Sequence, residues 1–451
     1  MAKQTPELFK NRSATKEFLF SPSEDLIDAG SEKEICTDRD NAAVAPPNAL
    51  FPDMLDRKGL ADAIDTRMAT ASMLCALAVR MDRPSRERPD GQEETGLGED
   101  AAMPVARLCR AHDGAWAKTG RNRLVCVLPH LAVTDGGRLA RKLMDAVTDN
   151  GRPRITIGVA TYPTINYTRG QIVDNAEKAL EHAGFFGPGT ITRFDAVSLN
   201  ISGDRHYQAG DITAAMDEFQ KGLLLDPADV NLQNSLGVCH GVLKDYDNAL
   251  AAFEKAIWLA PEDVMAIYNK GYVLLLQGNR ELALECFRQA DDREPNVFEV
   301  VFHIGQTLVE MGKNEKARPY LEDAVRINAR SGPAFKSLGA CLDALGLTRE
   351  AIQAYKNVVK IYPEDADALS ILGQLYTRLG ESLDVAAVLC EQSVRLRPDD
   401  GVFRHRLGNV YLNQGKLDHA LAEFELADSL GHGSRSQIEA TQELMMAAKA
   451  S

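Results

Sequence analysis

The stretch GYVLLLQGNRELALECFRQADDREP, residues 271–295, sets the fold of the second half of the chain. Two segments with apolar residues at helical spacing flank Gly278, and the stretch ends in Pro295. The small residues Gly271 and Ala283 allow two helices to approach closely, and proline cannot continue the second helix. The stretch therefore predicts a pair of antiparallel helices that ends near residue 295.

The same pattern recurs about every 34 residues from Ala196 onward. The first glycine of each copy is followed by an alanine twelve or thirteen residues later, and most copies close with a proline. The glycines are Gly203, Gly237, Gly271, Gly305, Gly339, Gly373 and Gly408, and the alanines are Ala215, Ala249, Ala283, Ala317, Ala351, Ala386 and Ala420. Because one pair of helices cannot bury its apolar face alone, the pairs must stack on one another.

This repeat resembles the tetratricopeptide repeat (TPR). The resemblance covers seven copies over residues 199–434 and implies an all-α solenoid, a right-handed superhelix of helical hairpins. Residues 435–451 form an amphipathic segment that we expect to cap the last copy. Such a superhelix has a concave groove, lined by the first helix of each pair, which holds a partner peptide or protein.

The resemblance also assigns side chains to this groove. Asn and Gln suit a ligand peptide because each can pair with both a backbone N–H and a backbone C=O. The candidate groove residues are Asn234, Tyr268, Asn269, Tyr272, Phe302, His303, Gln306, Lys336, Gln374, Arg378, His405, Arg406 and Asn409.

Residues 48–198 alternate between apolar β-branched runs and segments of helical period, which predicts an α/β (α+β) domain. ITIGVATYP, residues 155–163, and NAEKALEHAGFFGPGTITRFD, residues 175–195, resemble the diguanylate cyclase (GGDEF) family. In that alignment the family signature falls on Gly120, Arg121, Asn122, Arg123 and Leu124. The whole chain is therefore expected to be multidomain, with a cyclase-like domain before the solenoid.

The resemblance implies that the catalytic site of the family is no longer functional in this chain. Active family members hold Mg²⁺ against GTP with acidic residues, and hard cations need anionic oxygen ligands. This chain offers neutral Asn122 and cationic Arg123 at the matching positions, and only Asp82 could stand for a metal-binding aspartate. The helix lysine that meets phosphate in the family is replaced by Gly184. We therefore expect no catalytic residues, no bound metal or cofactor and no enzyme activity.

A second interpretation remains open. Family members often carry an inhibitory R-x-x-D motif that binds cyclic di-GMP, and RAHD supplies Arg110 and Asp113 near the matching place. Arginine would pair with guanine or phosphate, and aspartate would bond guanine. A cyclic di-GMP or GTP receptor that signals through the repeats is thus the alternative, and an active cyclase is the least favoured reading.

The composition limits the remaining classes of function and location. The 451 residues carry a net charge of −14, which argues against binding nucleic-acid polymers or anionic membranes. The eight cysteines form no CxxC pair, and the polar N-terminal residues 1–47 are expected to be a disordered tail without a signal peptide. We therefore expect a cytoplasmic scaffold or adaptor, whose cyclase-like domain is a structural or dimerising module, so that a homodimer is a further alternative.

Overall fold

A computed structural model describes residues 51–82, 99–120, 122–148 and 155–450. The predicted tail, residues 1–47, and Arg121 of the signature lie outside these residues. The described residues form two compact units, one ending at Pro261 and the other beginning at Glu262. This division by compactness falls within the repeats, and the domain boundary near residue 198, which marks a change of fold, stays a prediction.

The first unit contains a five-stranded mixed sheet with helices on both faces. The elements are α1 (Arg57–Thr66), β1 (Leu74–Met81), α2 (Glu99–Ala111), β2 (Ala115–Gly120), β3 (Arg123–Pro129), α3 (Val133–Ala146), β4 (Ile155–Tyr162), α4 (Ile172–Gly184) and β5 (Ile191–Arg193). The strand order is β2-β3-β1-β4-β5, with β5 parallel to β4 and the other neighbours antiparallel. The predicted mixture of helices and strands is thus confirmed.

The central strand β1 is apolar throughout because both of its faces are covered. Cys75, Leu77 and Val79 point into a core shared with α2 and α3. Ala76 and Ala78 point into a second core shared with α1 and α4. A strand buried on both faces reads as a continuous apolar run and not as an alternating one, as LCALAV does here.

Two pairs of repeat helices complete the first unit. They are α5 (Ala196–Gln208), α6 (Ile212–Leu225), α7 (Val230–Val242) and α8 (Tyr246–Leu259). The repeats follow the sheet without a linker, because Asp195 lies two residues after β5 and caps α5 by accepting the Ser198 N–H at 2.9 Å. Lys178 of α4 also binds both carboxylate oxygens of Glu218 of α6, at 2.6 Å each. The sheet and the first repeat therefore pack together directly.

Five further pairs and a final helix form the second unit. They are α9 (Val264–Leu276), α10 (Arg280–Arg293), α11 (Phe298–Glu310), α12 (Asn314–Ile327), α13 (Gly332–Ala344), α14 (Thr348–Ile361), α15 (Ala366–Leu379), α16 (Leu383–Leu396), α17 (Gly401–Asn413), α18 (Leu417–Ser429) and α19 (Arg435–Ala450). Helix α19 packs on α18 after the last pair.

The repeat residues act as their spacing predicts. A Cβ at Gly237 would lie 2.6 Å from the ring of Phe253, and one at Gly408 would lie 2.7 Å from Phe424, so only glycine lets the two helices of a pair approach this closely. Gly278 and Gly312, which follow the first helix of their pairs, have φ of +83° and +70°. Within the described ranges, every helix is too short or too polar to cross a lipid bilayer.

Candidate functional site

The predicted signature lies at the turn between β2 and β3. Leu124 is buried in β3, and the Asn122 carbonyl accepts the Met81 N–H at 3.0 Å. Arg123 lies opposite Arg80 of β1 in the register of the sheet. Two cationic residues therefore face each other at this end of the sheet, and this pair is poorly suited to hold Mg²⁺.

The carboxylate of Asp82, at the end of β1, already has hydrogen-bond and ionic partners within the protein. It accepts the Thr156 hydroxyl at 2.7 Å and the Gly189 N–H at 3.0 Å, and it lies 3.5 Å from Nε of Arg80. An Nη1 atom of Arg80 would lie 3.3 Å from a Cβ built on Gly184, so Arg80 stands beside the position where the family places a lysine. Asp82 thus ties β1 to β4 and to the segment before β5.

The structure does not pair Arg110 with Asp113. Arg110 donates two hydrogen bonds to Asp53, at 2.9 and 3.0 Å, and these bonds lower the pKa of that carboxyl group. Asp113 is exposed and has φ of +51°, in the turn that leads into β2. The two predicted ligands of cyclic di-GMP therefore belong to separate local arrangements.

An open cavity of about 300 Å³ lies along the first helices of the second unit. It runs across α11, α13 and α15, and Tyr355 of α14 also lines it. Its other lining residues are Gln306, Val309, Glu310, Lys336, Ser337, Ala340, Asp367, Ala368 and Ile371. The predicted groove residues Gln306 and Lys336 are therefore part of the cavity.

Several other predicted groove residues are buried. Tyr268, Asn269, Phe302 and His303 form part of the core of the second unit, and Asn234 is buried in the first. The ring of His303 contacts those of Tyr268, Tyr272 and Phe302 at centroid distances of 5.0–5.5 Å. These aromatic side chains occupy the space between α9 and α11 and pack against one another.

The buried His303 is held in its neutral form. Its Nδ1 lies 3.0 Å from the Tyr268 hydroxyl and 3.0 Å from the Glu299 carbonyl oxygen. A neutral ring with its proton on Nδ1 can share that proton between two oxygens. Burial lowers the pKa of His303 to about 4, so the ring is a packing element near neutral pH.

The remaining predicted groove residues are partly or fully exposed, and several have protein partners. Lys336 forms an ion pair with Asp365, and Arg378 donates to Asp343 at 2.6 and 3.3 Å. Nδ1 of His405 lies 2.8 Å from the Ser434 hydroxyl oxygen, and the Asn409 carbonyl accepts from Asn413 at 2.8 Å. Gln374 is partly exposed, and Arg406 donates to the Ser370 hydroxyl at 3.1 Å.

Sequence reasoning missed most of the cavity wall. Its preference for polar and aromatic side chains accounts only for the small and apolar wall residues Val309, Ala340, Ala368 and Ile371. Ala340 occupies the repeat position of Gln306 and Gln374, 34 residues from each, and Ser337 occupies that of His303. For Ala340 and Ser337, the position within the repeat would have been enough to place them on the groove. Tyr355 carried no such signal because its position in the second helix is that of a packing aromatic.

The described residues contain no group of three or more His, Cys, Asp or Glu side chains arranged to hold a metal ion. The seven cysteines that the structure describes are all buried, and they form no disulfide bond with one another.

Comparison with known families identifies the repeats. Tetratricopeptide repeat families match residues 202–264, 302–366, 342–401 and 403–430. The family of anaphase-promoting complex (cyclosome) subunit 3 matches residues 242–324. The C-terminal half of the chain is therefore a tetratricopeptide repeat solenoid. No curated protein matches the sequence significantly.

Several solved structures are similar to part of this chain. YrrB, described as a TPR protein with an unusual peptide-binding site, is 24% identical over 42% of this chain and 96% of its own, with a TM-score of 0.38. PilF of Pseudomonas aeruginosa is 21% identical over 46% of this chain and 95% of its own, with a TM-score of 0.43. MamA is 22% identical over 37% of this chain and 96% of its own, with a TM-score of 0.34.

Proposed function

We propose that this chain is a protein-interaction scaffold that binds a partner peptide in the groove of its second unit. The observation that carries the proposal is the open cavity of about 300 Å³ across α11, α13 and α15. Its wall combines apolar surface from Val309 and Ile371 with polar groups from Gln306 and Ser337. An extended peptide needs both, because its side chains bury apolar area while its backbone seeks hydrogen bonds.

A groove-filling variant tests this proposal. Ala340 is exposed on the cavity wall, and Ala340→Phe should occupy the space that a peptide would take. Ala422→Phe adds the same ring to an exposed position on α18, the second helix of its pair, and serves as the matched control. Peptides selected from a random display library on the wild-type chain should lose binding to the first variant and keep it with the second. Equal binding to both variants would place the ligand elsewhere.

We further propose that the sheet of the first unit is a cyclase-like module without catalytic function. The strand order, the position of the hairpin at Gly120–Arg123 and the opposed pair Arg80 and Arg123 support this reading. Oδ2 of Asp82 already accepts from Thr156 and Gly189, and Oδ1 lies 3.5 Å from Nε of Arg80, so a Mg²⁺ ion would have to compete with these partners. The module supports the first repeat through the ion pair between Lys178 and Glu218. The proposal also includes a role for this module in joining two copies of the chain into a homodimer.

Calorimetry with GTP and Mg²⁺, and separately with cyclic di-GMP, tests this second part. Neither ligand should release heat on the full chain. Cyclic di-GMP binding that disappears with Arg110→Ala would favour the receptor alternative. The bond from Arg110 to Asp53 gives that alternative no support, because a ligand would have to displace an existing bidentate pair.

A further inference from the structure

Trp258, near the end of α8, is the most exposed large apolar side chain among the described residues, at 79%. Leu224 holds the equivalent position in the preceding repeat, near the end of α6, and is 58% exposed. In the other five repeats this position is polar or charged, and the residues are Asp292, Arg326, Lys360, Arg395 and Ser429. The solenoid therefore places apolar side chains here only in the two repeats of the first unit.

Four exposed residues of α8 lie on one face of the helix, because they are spaced by four, three and four positions. They are Asp247, Ala251, Glu254 and Trp258. Lys255 is exposed beside Glu254. These five residues, which we call the α8 face, combine a large ring, a small residue and charges of both signs.

The α8 face is complementary to itself. Two molecules can bring their α8 helices together antiparallel about a twofold axis that passes between Glu254 and Lys255. Trp258 then lies opposite the partner's Ala251, because both residues are the same number of positions from the axis. The same axis brings Glu254 near the partner's Lys255. The ring thus covers a small residue, and each carboxylate meets an ammonium group.

We infer that the α8 face binds a second molecule of this chain and forms an antiparallel homodimer centred on Trp258. The inference concerns the repeats of the first unit and goes beyond the proposed roles of the groove and of the sheet. A twofold contact requires a surface that is complementary to itself, and tryptophan is enriched among the residues that dominate binding energy. Two molecules of net charge −14 repel one another, whereas this face sets opposite charges together.

The area of the face predicts a weak dimer. A helix of 14 residues is about 21 Å long, and α6 and α8 side by side are about 20 Å wide. The contact thus covers on the order of 400 Å² per molecule, about half of the ~800 Å² of a standard interface. We expect a dissociation constant of roughly 1–100 μM.

Sedimentation velocity of the full chain over about 1–200 μM tests the inference. The wild-type mass should rise from one chain towards two over this range. Trp258→Lys should raise the dissociation constant by roughly tenfold or more, and the helix should tolerate lysine because Lys360 holds this position in another repeat. Val388→Lys removes an exposed apolar side chain from α16, the second helix of its pair, and is the matched control.

A charge exchange tests the antiparallel pairing itself. Glu254→Lys should raise the dissociation constant by roughly threefold or more, because both symmetry-related pairs become repulsive. The double variant Glu254→Lys, Lys255→Glu should return it to the wild-type value, since the exchange restores opposite charges across the axis. Circular dichroism shows that each variant keeps its helices.

Three results would overturn the inference. A dimer that Trp258→Lys does not weaken would place the contact on another surface, such as the sheet, and would leave the proposed role of the sheet standing. A double exchange that fails to restore the dimer would refute the antiparallel pairing. A chain that stays monomeric at every concentration would reject both this dimer and the one proposed for the sheet, while the peptide test at Ala340 decides the groove separately.

Discussion

Removing Lys178 tests the direct packing of the sheet on the first repeat. Lys178→Met leaves the Glu218 carboxylate, whose side chain is 9% exposed, without its cation. Removing one partner of a buried ion pair costs about 3–5 kcal/mol. Since the Lys178 side chain is itself 18% exposed, water can reach part of the site, so we expect the lower end, about 3 kcal/mol.

Tryptophan fluorescence isolates this effect. The chain has two tryptophans, Trp116 in the core of the sheet and Trp258 on the surface of α8. Trp116 is 1% exposed and Trp258 is 79% exposed, so unfolding of the sheet should dominate the signal. A Trp258→Phe background removes the surface reporter. Urea unfolding followed in this background gives the free energy of the transition that Trp116 reports.

A double-mutant cycle separates the pair from its surroundings. The double variant Lys178→Met, Glu218→Leu should recover most of the lost stability, because two apolar side chains replace two charges. Asp217→Asn on the same helix breaks an exposed pair with Lys221 and should cost less than about 1 kcal/mol. If Lys178→Met costs no more than Asp217→Asn, the pair does not join the sheet to the repeat as we infer.

Three further predictions follow from the packing. A Cβ at Gly158 of β4 would overlap the backbone of α4 at Ala176 and Leu180, so Gly158→Ala should lower the Trp116 unfolding midpoint strongly, whereas Gly170→Ala, with open space around it, should not. Asp82→Ala should cost about 1–3 kcal/mol of unfolding free energy by leaving the buried Thr156 hydroxyl without its acceptor. Mg²⁺ should not shift the unfolding midpoint of the wild-type chain. A Mg²⁺-dependent gain in stability would contradict our account of Asp82. Because burial lowers the pKa of His303 from 6.5 to about 4, the unfolded state binds the proton more tightly, and stability should fall as the pH drops through that window by up to about 3 kcal/mol. His303→Gln should flatten this dependence in helix unfolding followed by circular dichroism, and an unchanged slope would assign the acid sensitivity to other groups.

The sequence predicted the repeats well because each copy repeats the same local requirement. Glycine at 237 or 408 is needed where the partner helix brings an aromatic ring close, and glycine at 278 or 312 is needed where φ is positive. These constraints are local and recur, so a single sequence reveals them without knowledge of the tertiary structure. The mixture of strands and helices in residues 48–198 was predicted from local sequence pattern in the same way.

The packing of the sheet against the first repeat could not be predicted in this way. The boundary near residue 198 was predicted from a change of sequence pattern, which carries no information on how the two sides pack. Asp195 caps α5 immediately after β5, and Lys178 reaches across to Glu218. Contacts between distant segments decide compactness, and the pairing of Lys178 with a residue 40 positions later has no signature in the sequence.

The groove residues show that the position of a residue within the repeat predicts the helix face on which it lies. That position does not predict whether the space beside the residue is open. His303, Ser337, Ile371 and Arg406 occupy one repeat position, yet His303 is buried while the others are accessible or line the cavity. Around His303 the neighbouring positions hold Tyr268 and Phe302, whose rings fill the space. Around Ser337 the small Ala340 leaves it open. Side-chain volume summed over adjacent copies therefore decides where the groove is open, and the same position changes from core to cavity wall along the solenoid.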